Sequence, residues 1–241
     1  MTATPDATIR EIVASDYRTA AVFQRHGLDF CCNGCRTIEQ GCRDAGADES
    51  VLLSELEVVL RTPATDLPRY SAWDAPALVS YIVANHHAYV SAALPVLVLH
   101  TRKLADVHGA HRGELVHIAR LVERIAAEMT DHMVKEEQIL FPFILELAEA
   151  AATHGPVPAS PFGTVQNPIH MMETEHRFVG DAMAEIRSLT DGYRLPEGAC
   201  TTYAVCFQEL EAFERDLHAH VHLENNILFP KAVAFEEGAR S

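Results

Sequence analysis

Residues 132–142 read HMVKEEQILFP, and residues 220–230 read HVHLENNILFP. Six of the eleven positions agree: a His, a Glu four residues later, and then Ile-Leu-Phe-Pro. On an α-helix, residues four apart lie about 40° apart around the axis and about 6 Å apart along it. His132 and Glu136 therefore share a face, as do His220 and Glu224. Each pair can grip one metal ion, and the second copy offers an equivalent pair from another wall of the same fold. Imidazole with carboxylate suits iron, manganese or zinc better than calcium or magnesium, and a glutamate can bridge two ions through its two oxygens. The expectation is a two-metal site. A single His-x3-Glu is ordinarily a solvated pair on an amphipathic helix; it is the repetition that favours metal. Ile-Leu-Phe supplies apolar packing, and Pro142 and Pro230 predict a kink or stop on each helix.

Proline-bearing stretches at 61–76, 153–168 and 190–198 separate segments with apolar residues spaced three and four apart. Four long helices are expected, the first opened by Asp74 before Ala75-Pro76. Their short connections predict an all-α fold, an antiparallel four-helix bundle over 76–241. Residues 1–62 read as a small helical unit, joined to the bundle by a linker at 63–75. Hydrophobic residues make up 48% and charged residues 22% of the 241 positions, enough to bury a core. The net charge of −15 repels phosphate backbones and anionic lipid, which argues against nucleic-acid and membrane-surface partners. The N-terminus carries no basic segment followed by an apolar one, and the apolar run at 93–99 is too short to span a bilayer. A cytoplasmic location is expected.

A two-metal site needs donors from the other two helices. His86 and His87 offer one, and spacing alone does not separate them. His176 offers the other, ahead of His170, which lies just after Pro168 near the start of its helix. His218 and His222 form a competing pair, but Thr130 and Val134 stand at the matching positions of the first copy. Glu128 and Asp216 stand one turn before His132 and His220, and Glu173 and Glu175 flank His176. These acids are candidates to orient imidazole or to pass iron or protons. The remaining histidines, His26, His100, His108, His111, His117 and His154, are expected on the surface or in loops.

The N-terminal unit places Cys31, Cys32, Cys35 and Cys42 within twelve residues. Without a secretion signal they are expected to be reduced. Adjacent cysteines followed by C-x-x-C can hold a soft metal, exchange disulfides or take up an iron-nitrosyl species. A thioredoxin-like setting is missing, and the Cys31-Cys32 adjacency is awkward for a structural zinc knuckle. Cys200 and Cys206 are expected to be buried small apolar groups.

The motifs FCCNGC, HHAYVSAALP, HMVKEEQILFP, METEH and HVHLENNILFP, in this order, resemble the Repair of Iron Centers family of hemerythrin-like di-iron proteins over nearly the whole chain. The resemblance implies His87, His132, His176 and His220 as terminal ligands, with Glu136 and Glu224 bridging two non-haem iron ions that also share an oxo or hydroxo bridge. It implies Cys31 and Cys32 as the functional thiol pair and favours Glu175 for a route to the metal. Oxygen-carrying hemerythrins place a second His four residues from the third-helix ligand; here those positions are Met172 and Gly180, so coordination positions stay open.

The implied role is repair of iron-sulfur clusters damaged by nitrosative or oxidative stress, with damaged iron-sulfur proteins as partners and iron supplied from a labile centre. Two alternatives stand beside it: reduction of nitric oxide to nitrous oxide at the centre, and reversible binding or sensing of O2 or nitric oxide. A four-helix interaction protein without metal is the bland alternative to all of these, and the repeated ligand pairs argue against it. The linker would let the Cys unit serve its own bundle or that of a second copy in a homodimer.

Overall fold

Three helices of the N-terminal unit begin where a short polar side chain satisfies free backbone N–H groups. Thr8 and Thr37 form reciprocal capping boxes with Glu11 and Gln40, opening α1 (Ile9–Ser15) and α3 (Ile38–Ala45). Between them, α2 spans Ala20–Arg25. Asp48 accepts from the N–H groups of Ser50 and Val51 to open α4 (Glu49–Arg61). Gly46 ends α3 in the left-handed conformation, at φ 66°. The apolar faces of these helices bury Ile9, Ile12, Phe23, Ile38, Leu52 and Leu56. The computed structural model describes residues 3–62 and 68–240; positions 63–67 of the expected linker lie outside the described residues. Beyond them, Tyr70, Trp73 and Tyr81 form a ring cluster.

The four long helices follow. Helix α5 (Ala75–His108) begins at Asp74, whose side chain accepts from Ala77 N–H, and contains a π-helical turn at Ile82–His87. Helix α6 (113–153) joins Gly113–Lys135 and Phe141–Thr153 through a π turn at Glu136–Leu140. Helix α7 is Gln166–Leu189, and α8 (201–240) joins Thr201–Leu223 and Phe229–Arg240 through a π turn at Glu224–Leu228. Apart from two short 3-10 turns at Tyr17–Thr19 and Tyr70–Ala72, these eight helices account for the regular structure among the described residues, where the only β-type pairing is an isolated bridge between Thr8 and Thr37. Helix α5 packs on α6 and α8, and α6 packs on α7. Pro142 and Pro230 neither stop nor break their helices. Each follows a π turn, where the wider backbone ring already disturbs the regular ladder and a missing N–H is tolerated.

One helix, α5, is long and apolar enough by length and composition to cross a membrane, which the short run at 93–99 does not suggest. In this fold it is a bundle wall that buries Val90, Leu94, Leu97 and Leu104.

The apolar core is divided into two clusters. One combines the N-terminal unit with Val90, Leu94, Met129, Met133, Val179 and Leu217 of the bundle. The other gathers Leu78, Ile82, Phe141, Met172, Leu228 and Phe229 at the opposite end. On α5 and α7 the candidate ligands fall between these two sets, and on α6 and α8 they alternate with the inner edges of both, so a buried polar layer lies where the two apolar clusters meet.

Candidate metal centre

Six side chains meet in that polar layer. His87 Nε2 lies 3.1 Å from His220 Nε2, and His176 Nε2 lies 3.0 Å from His132 Nε2. Glu136 and Glu224 stand between the two pairs, with Glu224 2.9 Å from His220 and 3.2 Å from His176, and Glu136 3.3 Å from His132 and 3.4 Å from His87. All six are buried. They compose two groups of four donors, His87/Glu136/His220/Glu224 and His132/Glu136/His176/Glu224; within each, the ligand atoms lie within 4.8 Å of one another. Both glutamates belong to both groups.

The donor set fits cations better than it fits a hydrogen-bonded core. Both oxygens of Glu136 and one of Glu224 are buried without a hydrogen bond, an expensive arrangement unless positive charge compensates it. Protons supply part of that charge: burial works against ionisation of His87 and His132, yet the two glutamates outweigh it and raise each pKa to about 10. Burial and mutual repulsion oppose charge on Glu136, but His132 and His87 keep its carboxyl below the ordinary range. Imidazole nitrogens with shared carboxylate oxygens are the donors that a transition-metal pair takes.

The geometry also explains why the motif is written twice. The residue after each buried glutamate reaches Nδ1 of a histidine on a neighbouring helix: Glu137 Oε1 lies 2.7 Å from His87 Nδ1, and Asn225 Oδ1 lies 2.9 Å from His176 Nδ1. The Phe of each copy then stacks on that same ring, Phe141 on His87 and Phe229 on His176. Each copy thus provides two of the six donors and orients a third. The contact to Nδ1 leaves Nε2 facing the layer.

The acids one turn before His132 and His220 do not take the Nδ1 edges of those histidines. Nδ1 of His132 is met by Glu175 of α7, at 2.8 Å, and not by Glu128 of its own helix. Asp216 binds His86 Nδ1 at 3.0 Å and not His220, whose Nδ1 makes no hydrogen bond. At His132, His87 and His176 the Nδ1 edge faces a neighbouring helix, and groups across that interface reach it. His86 is left outside both donor groups, stacked on His220. Lys135 pairs with the other oxygen of Glu175. Burial opposes charge on Glu175, but His132 and Lys135 hold its pKa below the usual value. Glu137, Asn225 and Lys135 were not singled out in the sequence; the signal for the first two is their identical place after the repeated Glu.

The cysteine loop sits against this centre. Asp29 Oδ1 accepts from the N–H groups of Cys31 and Cys32, fixing the turn, and the two sulfurs lie 3.8 Å apart. Asn225 and Asn226 donate to the carbonyls of Cys31 and Phe30, at 3.0 and 2.9 Å. A Cβ added to Gly180 would lie 3.6 Å from Cys32 Sγ, so the thiol occupies the space beside α7 one turn past His176. Cys31 and Cys42 are buried, Cys32 is half-buried and Cys35 is exposed. Cys206 is buried as expected, but Cys200 is exposed. It caps the start of α8 and precedes the first buried turn, so no apolar face covers it.

Residues 78–232 match the family profile described as Hemerythrin HHE cation binding domain, and residues 5–60 match a Domain of Unknown function (DUF542). The chain is 36% identical over 231 residues to the iron-sulfur cluster repair protein YtfE of Edwardsiella ictaluri, an alignment covering 95% of this chain and 97% of that protein. It is 34% identical over 219 residues to the protein of the same description from Yersinia pestis, covering 91% and 93%. The counterpart from Yersinia pseudotuberculosis is 34% identical over 223 residues, with the same coverage. The buried His/Glu layer, inside a cation binding domain, is a metal-binding site.

Proposed function

Because the chain belongs to the family of iron-sulfur cluster repair proteins, a hemerythrin HHE cation binding domain preceded by a small cysteine-bearing domain, we propose that it repairs iron-sulfur clusters damaged by nitrosative or oxidative stress by supplying iron from a di-iron centre. The observation that carries this reading is the sharing of Glu136 and Glu224 by two groups of buried donors. His87 and His220 would hold one ion, His132 and His176 the other, with the two glutamates bridging. When bound, the pair supplies ferrous iron in transferable form and is cargo as much as cofactor.

The protein's own groups orient the donors of the store and leave it labile. Glu137, Glu175 and Asn225 hold three of the four imidazoles with Nε2 inward. Two imidazoles and two shared carboxylates give each ion four protein donors, and neither Met172 nor Gly180 adds a nitrogen. Ferrous iron held by an incomplete donor set exchanges readily. Phe141 and Phe229 cover two of the rings and limit the approach of bulk water. Residues 76–241 would serve as the metal-holding bundle, and residues 1–62 as the thiol-bearing unit that receives or directs the iron.

The test is to load the protein with ferrous iron anaerobically and mix it, without free iron, with an iron-sulfur enzyme inactivated by nitric oxide. Recovery of activity in proportion to the iron lost from the bundle is the expected outcome. No recovery with the iron retained would overturn donation. Nitrous oxide formation in that sample would move the reading to nitric oxide reduction.

A further inference from the structure

One side chain links the cysteine loop to the candidate metal centre. Asn225 Nδ2 donates to the Cys31 carbonyl at 3.0 Å, and its Oδ1 lies 2.9 Å from His176 Nδ1. Both Asn225 and His176 are buried. A backbone carbonyl can only accept, so it fixes which end of the amide carries the N–H groups. Oδ1 must then face His176, and Nδ1 of His176 must carry the proton. The lone pair of Nε2 is left pointing at Glu224, as a metal ligand requires. The backbone position of Cys31 thus determines the tautomer of a ligand in another part of the fold.

The next residue reinforces the grip. Asn226 donates to the Phe30 carbonyl at 2.9 Å and accepts from Arg10 Nε at 3.2 Å. Gly34 permits this seat, since a Cβ there would lie 2.7 Å from Asn226 Oδ1 and 2.9 Å from the Phe30 carbonyl. The two donor groups differ in this respect. His87 is backed by Glu137 of α6, and His220 Nδ1 makes no hydrogen bond, so neither histidine depends on the loop through Nδ1.

We propose that Asn225 is a positioning residue that couples seating of the cysteine loop to the His132/His176 half of the metal centre, so that this half binds tightly with the loop seated and loosens when the loop lifts. Coupling of this kind is reciprocal: if the seated loop favours the metal, the metal must favour the seated loop by the same factor. The inference rests on the metal reading given above, and it makes the His132/His176 ion the one released first.

The test follows the thiols, not repair activity. Full-length protein, metal-free or loaded anaerobically with ferrous iron, is alkylated, and modification of Cys31 and Cys32 is timed by peptide mass spectrometry. In the wild type, loading should slow modification by about tenfold. Asn225→Leu removes both hydrogen bonds; it should abolish the slowing and release one of two ions to a chelator about 10–100-fold faster. Asn225→Asp keeps an acceptor for His176 but turns an oxygen toward the Cys31 carbonyl. It should retain both ions and lose the slowing, and being nearly isosteric it carries the test if the leucine variant does not fold. Slowing that persists in Asn225→Asp would overturn the coupling, because direct ligation of metal by the thiols would then explain it. Equal rates in loaded and metal-free wild type would overturn it too. A wild type that takes up no iron overturns the metal reading itself, which is a different failure.

Discussion

Glu175 of α7 places Oε2 2.8 Å from Nδ1 of His132, so a candidate ligand on one helix is oriented from another. Lys135, the residue before Glu136 on α6, pairs with the other oxygen of the same carboxylate. A carboxylate behind a metal-bound imidazole fixes its tautomer and raises its basicity, and its loss typically costs 10–100-fold in affinity. Glu175→Ala should therefore weaken ferrous binding by about 10–100-fold in competition with a chelator. Glu128→Ala should leave it unchanged, because Glu128 does not take the Nδ1 edge. Equal losses in the two variants would return Glu128 to the role its spacing suggests.

Cys31 is a thiol held back from ionisation by its surroundings. The neighbouring Cys32 sulfur, followed by burial, raises Cys31 well above the ordinary thiol value of about 9. Since the thiolate is the nucleophile, alkylation of Cys31 in the folded protein should keep climbing as pH rises beyond 9. The same shift has a stability consequence: above pH 9 the unfolded chain releases this proton and the folded chain retains it, so stability falls with rising pH. Cys32→Ser removes the largest cause, and the Cys31 alkylation profile should move to lower pH. A profile that stays in place would show that burial alone holds the thiol.

Much of the centre was legible because the repeat is a matter of helical spacing. His132, Glu136, His220 and Glu224 follow from residues four apart on one face, and His176 from its depth in the third helix. The choice of His87 over His86 was not available from spacing: the two are adjacent, and only the bundle's rotation sends one ring inward and the other to Asp216. The orienting groups were largely hidden, since Glu137 and Asn225 act across helix interfaces that sequence separation does not reveal. The π turns were hidden as well. Each begins at a buried glutamate, or ends at His87, where an apolar pattern read with a period of 3.6 gives no sign of a wider turn. They also explain why Pro142 and Pro230, read as kinks or stops, interrupt nothing.

Gly180 tests how the cysteine loop is seated. A methyl at this position would stand 3.6 Å from Cys32 Sγ, an ordinary contact, while glycine inside a helix is less favourable than alanine by about 1 kcal/mol. Gly180→Ala should raise stability by roughly 0.5–1 kcal/mol in denaturant titration and leave thiol reactivity as it was. Gly180→Leu carries its branch from that contact toward Cys32 and should lift it, exposing both Cys31 and Cys32 to alkylation. Unchanged reactivity in the leucine variant would mean that the loop is held by Asn225 and Asn226 without close packing on α7.

The two buried glutamates make opposite contributions with and without metal. Glu136 and Glu224 are fully buried, and three of their four oxygens make no hydrogen bond. Removing both carboxylates also removes what keeps His87 and His132 protonated, and a neutral imidazole is far cheaper to bury than the ion pair it leaves behind. Glu136→Leu combined with Glu224→Leu should therefore give a protein with no bound iron that is at least as stable, metal-free, as the metal-free wild type. Ligand binding stabilises only the protein that can bind: at 100 times the dissociation constant the gain is about 2.7 kcal/mol. Adding ferrous iron anaerobically should raise the melting temperature of the wild type and leave the double variant where it was, reversing or narrowing their order. A double variant that still binds two ions would remove both glutamates from the site, and one that unfolds without metal would make their charge a structural requirement of the bundle.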